Sequence, residues 1–117
     1  MKEHRFCLAY VTAKDLKQAR ALARALVRER LAACVNILGK SESIYRWKGR
    51  LETGREVALI AKTTTTRAKR LTARVKELHT YDCPCVVIVP IVDGNPQFLK
   101  WIGEEVRGTL ERGASGA

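Results

Sequence analysis

The stretch from Ala32 to Thr64 constrains the fold most. Two long extended segments flank one tight-turn signal, Lys48-Gly49. Ala32 to Leu38 reads as a strand, bends at Gly39-Lys40-Ser41, and continues from Ser43 to Trp47. Glycine tolerates the left-handed backbone that a two-residue hairpin demands, so the chain reverses at Lys48-Gly49. It returns through Leu51 and, past Gly54-Arg55, from Val57 to Thr64. Such a hairpin is long and partly apolar for a chain of 117 residues. It is expected to pair with something outside its own subunit, which puts function at subunit contacts rather than in a self-contained catalytic site.

The remaining elements follow from periodicity. His4 to Thr12 is rich in Phe, Leu, Tyr and Val and reads as a first strand. From Lys14 to Arg30, apolar Leu16, Ala19, Leu22 and Leu26 recur at helical spacing. Thr65 or Thr66 is expected to cap a second helix reaching about His79. Val86 to Val92 is nearly continuous apolar sequence, as in a strand buried on both faces or partly so. Asn95-Pro96 is an N-cap followed by proline at the first helical position. Phe98, Ile102, Val106 and Leu110 then form one stripe of a last helix. The order βαββαβ plus a helix is solved by a ferredoxin-like α+β sandwich, with two helices on one face of a four-stranded antiparallel sheet. The other face is left bare. Val35, Ile37, Val57, Leu59 and Ile60 are too apolar to leave both faces in water, which favours association. The expected domain is 1–111, followed by a flexible tail over 112–117, where Arg112-Gly113-Ala114-Ser115-Gly116-Ala117 is small and polar.

The formal charge of +10 raises the question of nucleic acid. The charges alternate with acids along helices, and no strand carries an RNA-binding aromatic motif, so no nucleic-acid partner is expected. Arg67, Lys69, Arg70, Arg74 and Lys76 read as the wet side of a helix whose apolar side is Ala68, Leu71, Val75 and Leu78. Phe6 to Ala13 is too short to cross a membrane. The four cysteines do not form a secreted disulfide scaffold, so a reduced, cytoplasmic protein is expected.

Several blocks of this sequence resemble the CutA family of divalent-cation tolerance proteins. They are Glu29-Arg30-Leu31-Ala32-Ala33-Cys34-Val35-Asn36-Ile37, Ser43-Ile44-Tyr45-Arg46-Trp47-Lys48-Gly49 and Lys62-Thr63. Leu78-His79-Thr80-Tyr81 with Pro84, and Leu99-Lys100-Trp101-Ile102, complete the set. The resemblance spans residues 5 to 103. It implies a compact homotrimer of ferredoxin-like subunits, similar to the nitrogen-regulatory signalling trimers, and a link to copper tolerance. The family usually carries glutamate directly after the proline, where this chain has Cys85. A thiol that some relatives place at the end of the first strand falls on Val11 here.

His79, Cys83 and Cys85 bracket one short turn. Thiolate and imidazole suit copper or zinc, and softness favours Cu(I) over magnesium or calcium. The competing reading makes His79 a helix C-cap beside the helix dipole and the cysteines turn residues flanking Pro84. Cys34 is a strand residue by default and, through the resemblance, a secondary metal candidate. In a ferredoxin-like sheet it lies at the opposite end from His79, so the two would share an ion only across a subunit contact. Cys7 reads as a small core hydrophobe.

Tyr45, Trp47, Glu56, Lys62 and Tyr81 are the candidate ligand or interface residues. The aromatic rings suit a contact between chains. Glu56 and Lys62 share a strand face six positions apart, about 20 Å, so they do not pair directly. No enzyme is expected. Gly39-Lys40-Ser41 lacks the other glycines of a phosphate loop, and a Cys85–His79 nucleophile pair lacks an oxyanion hole and an orienting third group. The expectation is a cytoplasmic homotrimer that binds soft metal ions, chiefly copper, none needed for folding, and acts in metal tolerance. The alternative is a trimeric regulator that binds a small anionic ligand in subunit clefts and signals through a partner.

Overall fold

A computed structural model describes the backbone of residues 4–116 and the side chains of 4–107. Seven elements follow in the order β1 (Phe6–Ala13), α1 (Leu16–Arg28), β2 (Cys34–Trp47), β3 (Arg50–Thr64), α2 (Thr65–Leu78), β4 (Val86–Pro90) and α3 (Pro96–Gly116). The strands form one antiparallel sheet in the order β2-β3-β1-β4. This is the ferredoxin-like arrangement expected of the sequence. Domain and tail were expected to divide at 111; α3 runs across that point, and the side chains of 112–117 lie outside the described residues.

Register assigns the two faces. Partners in an antiparallel pair project to the same side, and neighbours along a strand alternate. Cys7, Ala9, Val11 and Ala13 of β1 face Thr63, Ala61, Leu59 and Val57 of β3. These residues close on Ala19, Leu22 and Leu26 of α1 and Leu71 and Val75 of α2 as the main core. The opposite face carries Leu8, Tyr10 and Thr12 with Lys62, Ile60 and Ala58, and Val87 and Val89 of β4 continue it. Among the described side chains, those of the first turns of α3 approach this face near its Phe6 end, where Ile102 and Val106 pack with Ala33, Phe6 and Leu99.

Helix ends differ from the sequence reading for local reasons. Helix α1 occupies Leu16–Arg28 rather than Lys14–Arg30. Asp15 caps its start by accepting from the Gln18 amide at 2.8 Å. Arg30, at φ +58°, takes the left-handed position that ends it. The Leu31 amide then donates to the Leu26 carbonyl and the Arg30 amide to the Val27 carbonyl, a Schellman motif. Thr64, not Thr65 or Thr66, is the N-cap of α2, and its side chain makes no capping bond. The Thr65 hydroxyl turns back to donate to the His4 carbonyl at 2.9 Å.

Three burial expectations are corrected. Strand β4 is not buried on both faces. It stops at Pro90, and Val87 and Val89, on the face that α1 and α2 leave open, are 50% and 44% exposed. Arg67 is not on the wet side of α2 but 7% exposed. It stands four and eight residues before Leu71 and Val75, on their stripe, and donates from Nη2 to the Val106 carbonyl at 2.8 Å. Leu78, assigned to the apolar stripe, is instead exposed at the last turn. Lys69, Arg70 and Lys76 lie on the exposed side, as expected.

The hairpin outruns its sheet. Strand β1 pairs only with Val57–Thr64 of β3, so Ser41–Trp47 and Arg50–Glu56 pair with each other alone. Lys48 and Gly49, at φ +51° and +78°, make the turn. Gly39, at φ +112°, marks a bulge between Ile37 and Gly39 where the hairpin departs. Ile44, Trp47 and Leu51 stand largely exposed on it.

Leu59 is fully buried at the centre of the core. Truncation there leaves a cavity that rigid neighbours fill poorly, so Leu59→Ala is expected to cost about 3 kcal/mol. The exposed Lys69→Ala should stay within about 0.5 kcal/mol. Urea unfolding at equal protein concentration measures both.

Candidate metal site at the start of the last strand

The chain between α2 and β4 is pinned by the His79 ring. Tyr81 N–H, which can only donate, meets Nδ1 at 3.1 Å. The Thr12 carbonyl, which can only accept, meets Nε2 at 2.8 Å. Nε2 therefore carries the proton and Nδ1 is bare. His79 is 7% exposed, with its ring 4.4 Å from that of Tyr81. It occupies the C-cap position of α2, as one sequence reading had it. Its ring, however, is neutral and bonds across to β1 rather than to the helix carbonyls. Thr80 adds a second tie, its Oγ1 accepting from Gln18 Nε2 at 3.0 Å. The same Gln18 accepts from the Lys14 amide at 2.8 Å through Oε1, so α1, β1 and this turn are bonded into one corner.

The corner brings several candidate residues together. Glu56 of β3 accepts from Ser43 Oγ at 3.0 Å. Burial, followed by the charge and hydrogen bonding of Glu56, pushes the Tyr81 phenol up; Tyr45 and Asp15 add smaller upward pushes. The Tyr45 ring lies across Gly54, where an added Cβ would meet its hydroxyl at 3.5 Å. Burial also pushes the Cys85 thiol up. A hydrogen bond with the Thr12 side chain opposes this, and the charges of Glu56 and Cys83 add to it. Cys83 is exposed and Cys85 half-buried, and both are free thiols. The position after Pro84 thus places a thiol, in this chain, within the electrostatic reach of the Glu56 carboxylate.

Other candidates lie elsewhere. Cys34 pairs with Lys62, which pairs with Leu8, four residues along β1 from Thr12, or about 13 Å. Lys62 has its ammonium 5.2 Å from the centre of the Phe98 ring, a protein partner on its own subunit. Glu56 and Lys62 stand at opposite ends of the sheet. Trp47 sits at the hairpin tip, 56% exposed. Cys7 is fully buried, and burial pushes its thiol up. Among the described residues of one chain, no group of three or more His, Cys, Asp or Glu side chains closes on a single ion. Sequence reading missed Thr12 and Gln18. The signal for Gln18 was its position three residues after the capping Asp15.

Iodoacetamide should alkylate Cys83 first, Cys85 more slowly, and Cys7 only on unfolding. A raised thiol holds less thiolate at a given pH, so the Cys85 rate should climb at higher pH than that of free cysteine. Peptide mass mapping against pH reads all three. Equal rates at Cys83 and Cys85 would contradict the placement.

With this geometry established, comparison with known proteins identifies the relatives. The family model for the CutA1 divalent ion tolerance protein matches residues 7–105. A divalent-cation tolerance protein CutA from Thermus thermophilus is 47% identical over 80% of this chain and 91% of its own length. A CutA homolog from Xenopus laevis is 45% identical over 84% of this chain, which spans 65% of that protein; for the mouse protein the span is 60%. A solved structure of the divalent cation tolerance protein from Thermus thermophilus superposes with a TM-score of 0.84 at 44% identity, covering 86% of this chain and 97% of that one. A structure from Archaeoglobus fulgidus, described as a periplasmic divalent cation tolerance protein CutA, gives 0.84 at 38% identity, over 86% of this chain and 98% of that one. This chain belongs to the CutA divalent-cation tolerance family.

Proposed function

We propose that this chain works as a cytoplasmic homotrimer that binds soft metal ions, chiefly copper as Cu(I), and thereby contributes to metal tolerance. The observation that carries this reading is the pair of free thiols, Cys83 and Cys85, flanking Pro84 in a corner with Glu56. Thiolates select Cu(I) over hard cations. Cu(I) accepts low coordination numbers, so two sulfurs from one chain suffice where a four-ligand zinc site would be incomplete. Four free thiols also suit a reducing compartment.

His79 serves this site by position. Both of its ring nitrogens already have protein partners, so ligation would cost one of those bonds in a buried setting. Its role is to hold the turn so that both thiols stand at the sheet end. Cys34, at the opposite end of the open face, would join a metal only across a subunit contact.

Trimer formation is supported by what the chain leaves bare. Tyr10, Val87 and Val89 stand on the open sheet face, and Ile44, Tyr45, Trp47 and Leu51 on the hairpin. An isolated two-stranded ribbon is marginal in water. Neighbouring copies would cover both surfaces.

The test is a Cu(I) titration of the reduced protein against a competing chelator, with mass followed by light scattering. The expected result is saturable binding by a particle of three times the 13.1 kDa chain mass. Affinity should fall at least about a hundredfold in Cys83→Ser/Cys85→Ser, since serine offers Cu(I) a hard oxygen in place of each thiolate. Unchanged Cu(I) affinity in that variant, or a folded lone chain at micromolar concentration, would sink the reading.

A further inference from the structure

At the other end of the sheet, where β1 begins and β3 ends, a cleft of about 840 Å³ opens between the starts of α2 and α3. Its size falls within the roughly 300–1,000 Å³ usual for small-molecule sites. Phe6, Pro96, Leu99 and Val106 give it apolar walls, and Arg5, Arg67, Lys100 and Arg107 line it too. Among the described residues that line it, none carries a carboxylate.

The charges of Arg67 and Lys100 are poorly neutralised by the described residues. Arg67 is nearly buried, and its bond to the Val106 carbonyl satisfies one of its five N–H groups without opposing its charge. Burial first, and then the nearby charge of Arg70, pushes the Arg67 guanidinium down, as for a cation short of a counter-ion. Lys100 has an exposed, 4.0 Å pairing with Glu104, the kind of contact that screening leaves weak. Nearby Glu105 is engaged by Arg30 at 3.3 Å. Burying a guanidinium without an anion is costly, yet here it is placed on an otherwise apolar helix stripe, in a cleft to which α3 and the segment before β1 bring further cations. Helix α2 also starts here without a side-chain cap from Thr64, so its amide dipole adds positive potential in the same direction.

We propose that this cleft binds a small organic phosphate, its phosphate held by Arg5, Arg67 and Lys100 and its apolar body lying against Phe6 and Leu99. One chain supplies all of these groups. The site stands at the far end of the sheet from Cys83 and Cys85, so it does not depend on metal binding. Several cations from separate elements suit a dianionic group better than a lone carboxylate. The apolar walls are what an inorganic ion would leave unused.

Calorimetric titration of the full chain with phenyl phosphate tests this, at about 0.05 M salt to limit screening. The expected result is saturable binding of one phenyl phosphate per chain, tighter than inorganic phosphate. Binding should weaken at least about tenfold in Arg5→Ala/Lys100→Ala, where two charge-assisted contacts are lost. Both residues are exposed, so the fold should survive, which a thermal melt verifies. The control Lys17→Ala/Arg20→Ala removes the same charge from the exposed side of α1 and should leave affinity unchanged. No saturable binding, equal weakening in both variants, or inorganic phosphate binding as tightly as phenyl phosphate would each overturn the proposal.

Discussion

One buried imidazole organises the thiol end of this molecule. His79 receives the Tyr81 amide at Nδ1 and gives its Nε2 proton to the Thr12 carbonyl. Both partners are backbone groups near the ends of β1 and β4. Without the ring each would lose the partner it has here, and a buried group left unpaired costs about 1–3 kcal/mol. The bonds fix the tautomer, and the tautomer fixes the ring's role. A histidine with both nitrogens committed is a brace for the turn that carries Cys83 and Cys85, and its bare nitrogen is not turned to solvent. That distinction separates a residue that supports a metal site from one that belongs to it.

The sheet then distributes chemistry to its two ends. Because β1 runs parallel to β2 and antiparallel to β4, the turn before β4 lies beside the end of β1, next to Glu56. The start of β1 lies beside the end of β3 and the opening turns of α2 and α3. Cys83, Cys85 and Glu56 gather at one end, and the guanidinium and ammonium groups at the other, where Cys7 and Cys34 also lie. Between them runs a face of Tyr10, Ile60, Val87 and Val89 that α1 and α2 do not cover. The helices can shield only one side of a four-stranded sheet, so this exposure is a consequence of topology and not of a local packing defect.

Much of the architecture was legible from the sequence because local signals agreed with the global fold. Lys48-Gly49 set the hairpin, Asn95 caps the last helix by accepting from the Gln97 amide, and the apolar spacing of Leu22 and Leu26 marked the buried side of α1. Where reading failed, a charge or a boundary was involved. Arg67 was read with Lys69, Arg70, Arg74 and Lys76 as lying opposite the apolar residues, although a spacing of four and eight from Leu71 and Val75 puts it on their stripe. Strand β4 was expected to be buried on both faces or partly so because Val86 to Val92 is apolar, yet Val87 and Val89 lie on the face that no neighbouring helix covers, which comes from topology. The cap of α2 fell one residue earlier than expected, since the Thr65 hydroxyl serves the segment before β1 instead. The clustering of His79, Cys83 and Cys85 was visible as spacing. That His79 is bonded at both nitrogens was not, because Thr12 lies 67 residues away in sequence.

What the His79 ring does when metal is present decides between brace and ligand. Long-range proton–nitrogen NMR of the imidazole, recorded before and after one equivalent of Cu(I), reads this directly. The expected spectrum has a protonated Nε2 and an unprotonated Nδ1, unchanged by the metal while Cys83 and Cys85 lose their reactivity. A proton found on Nδ1, or a ring nitrogen resonance displaced by Cu(I), would show that His79 is not the brace described here.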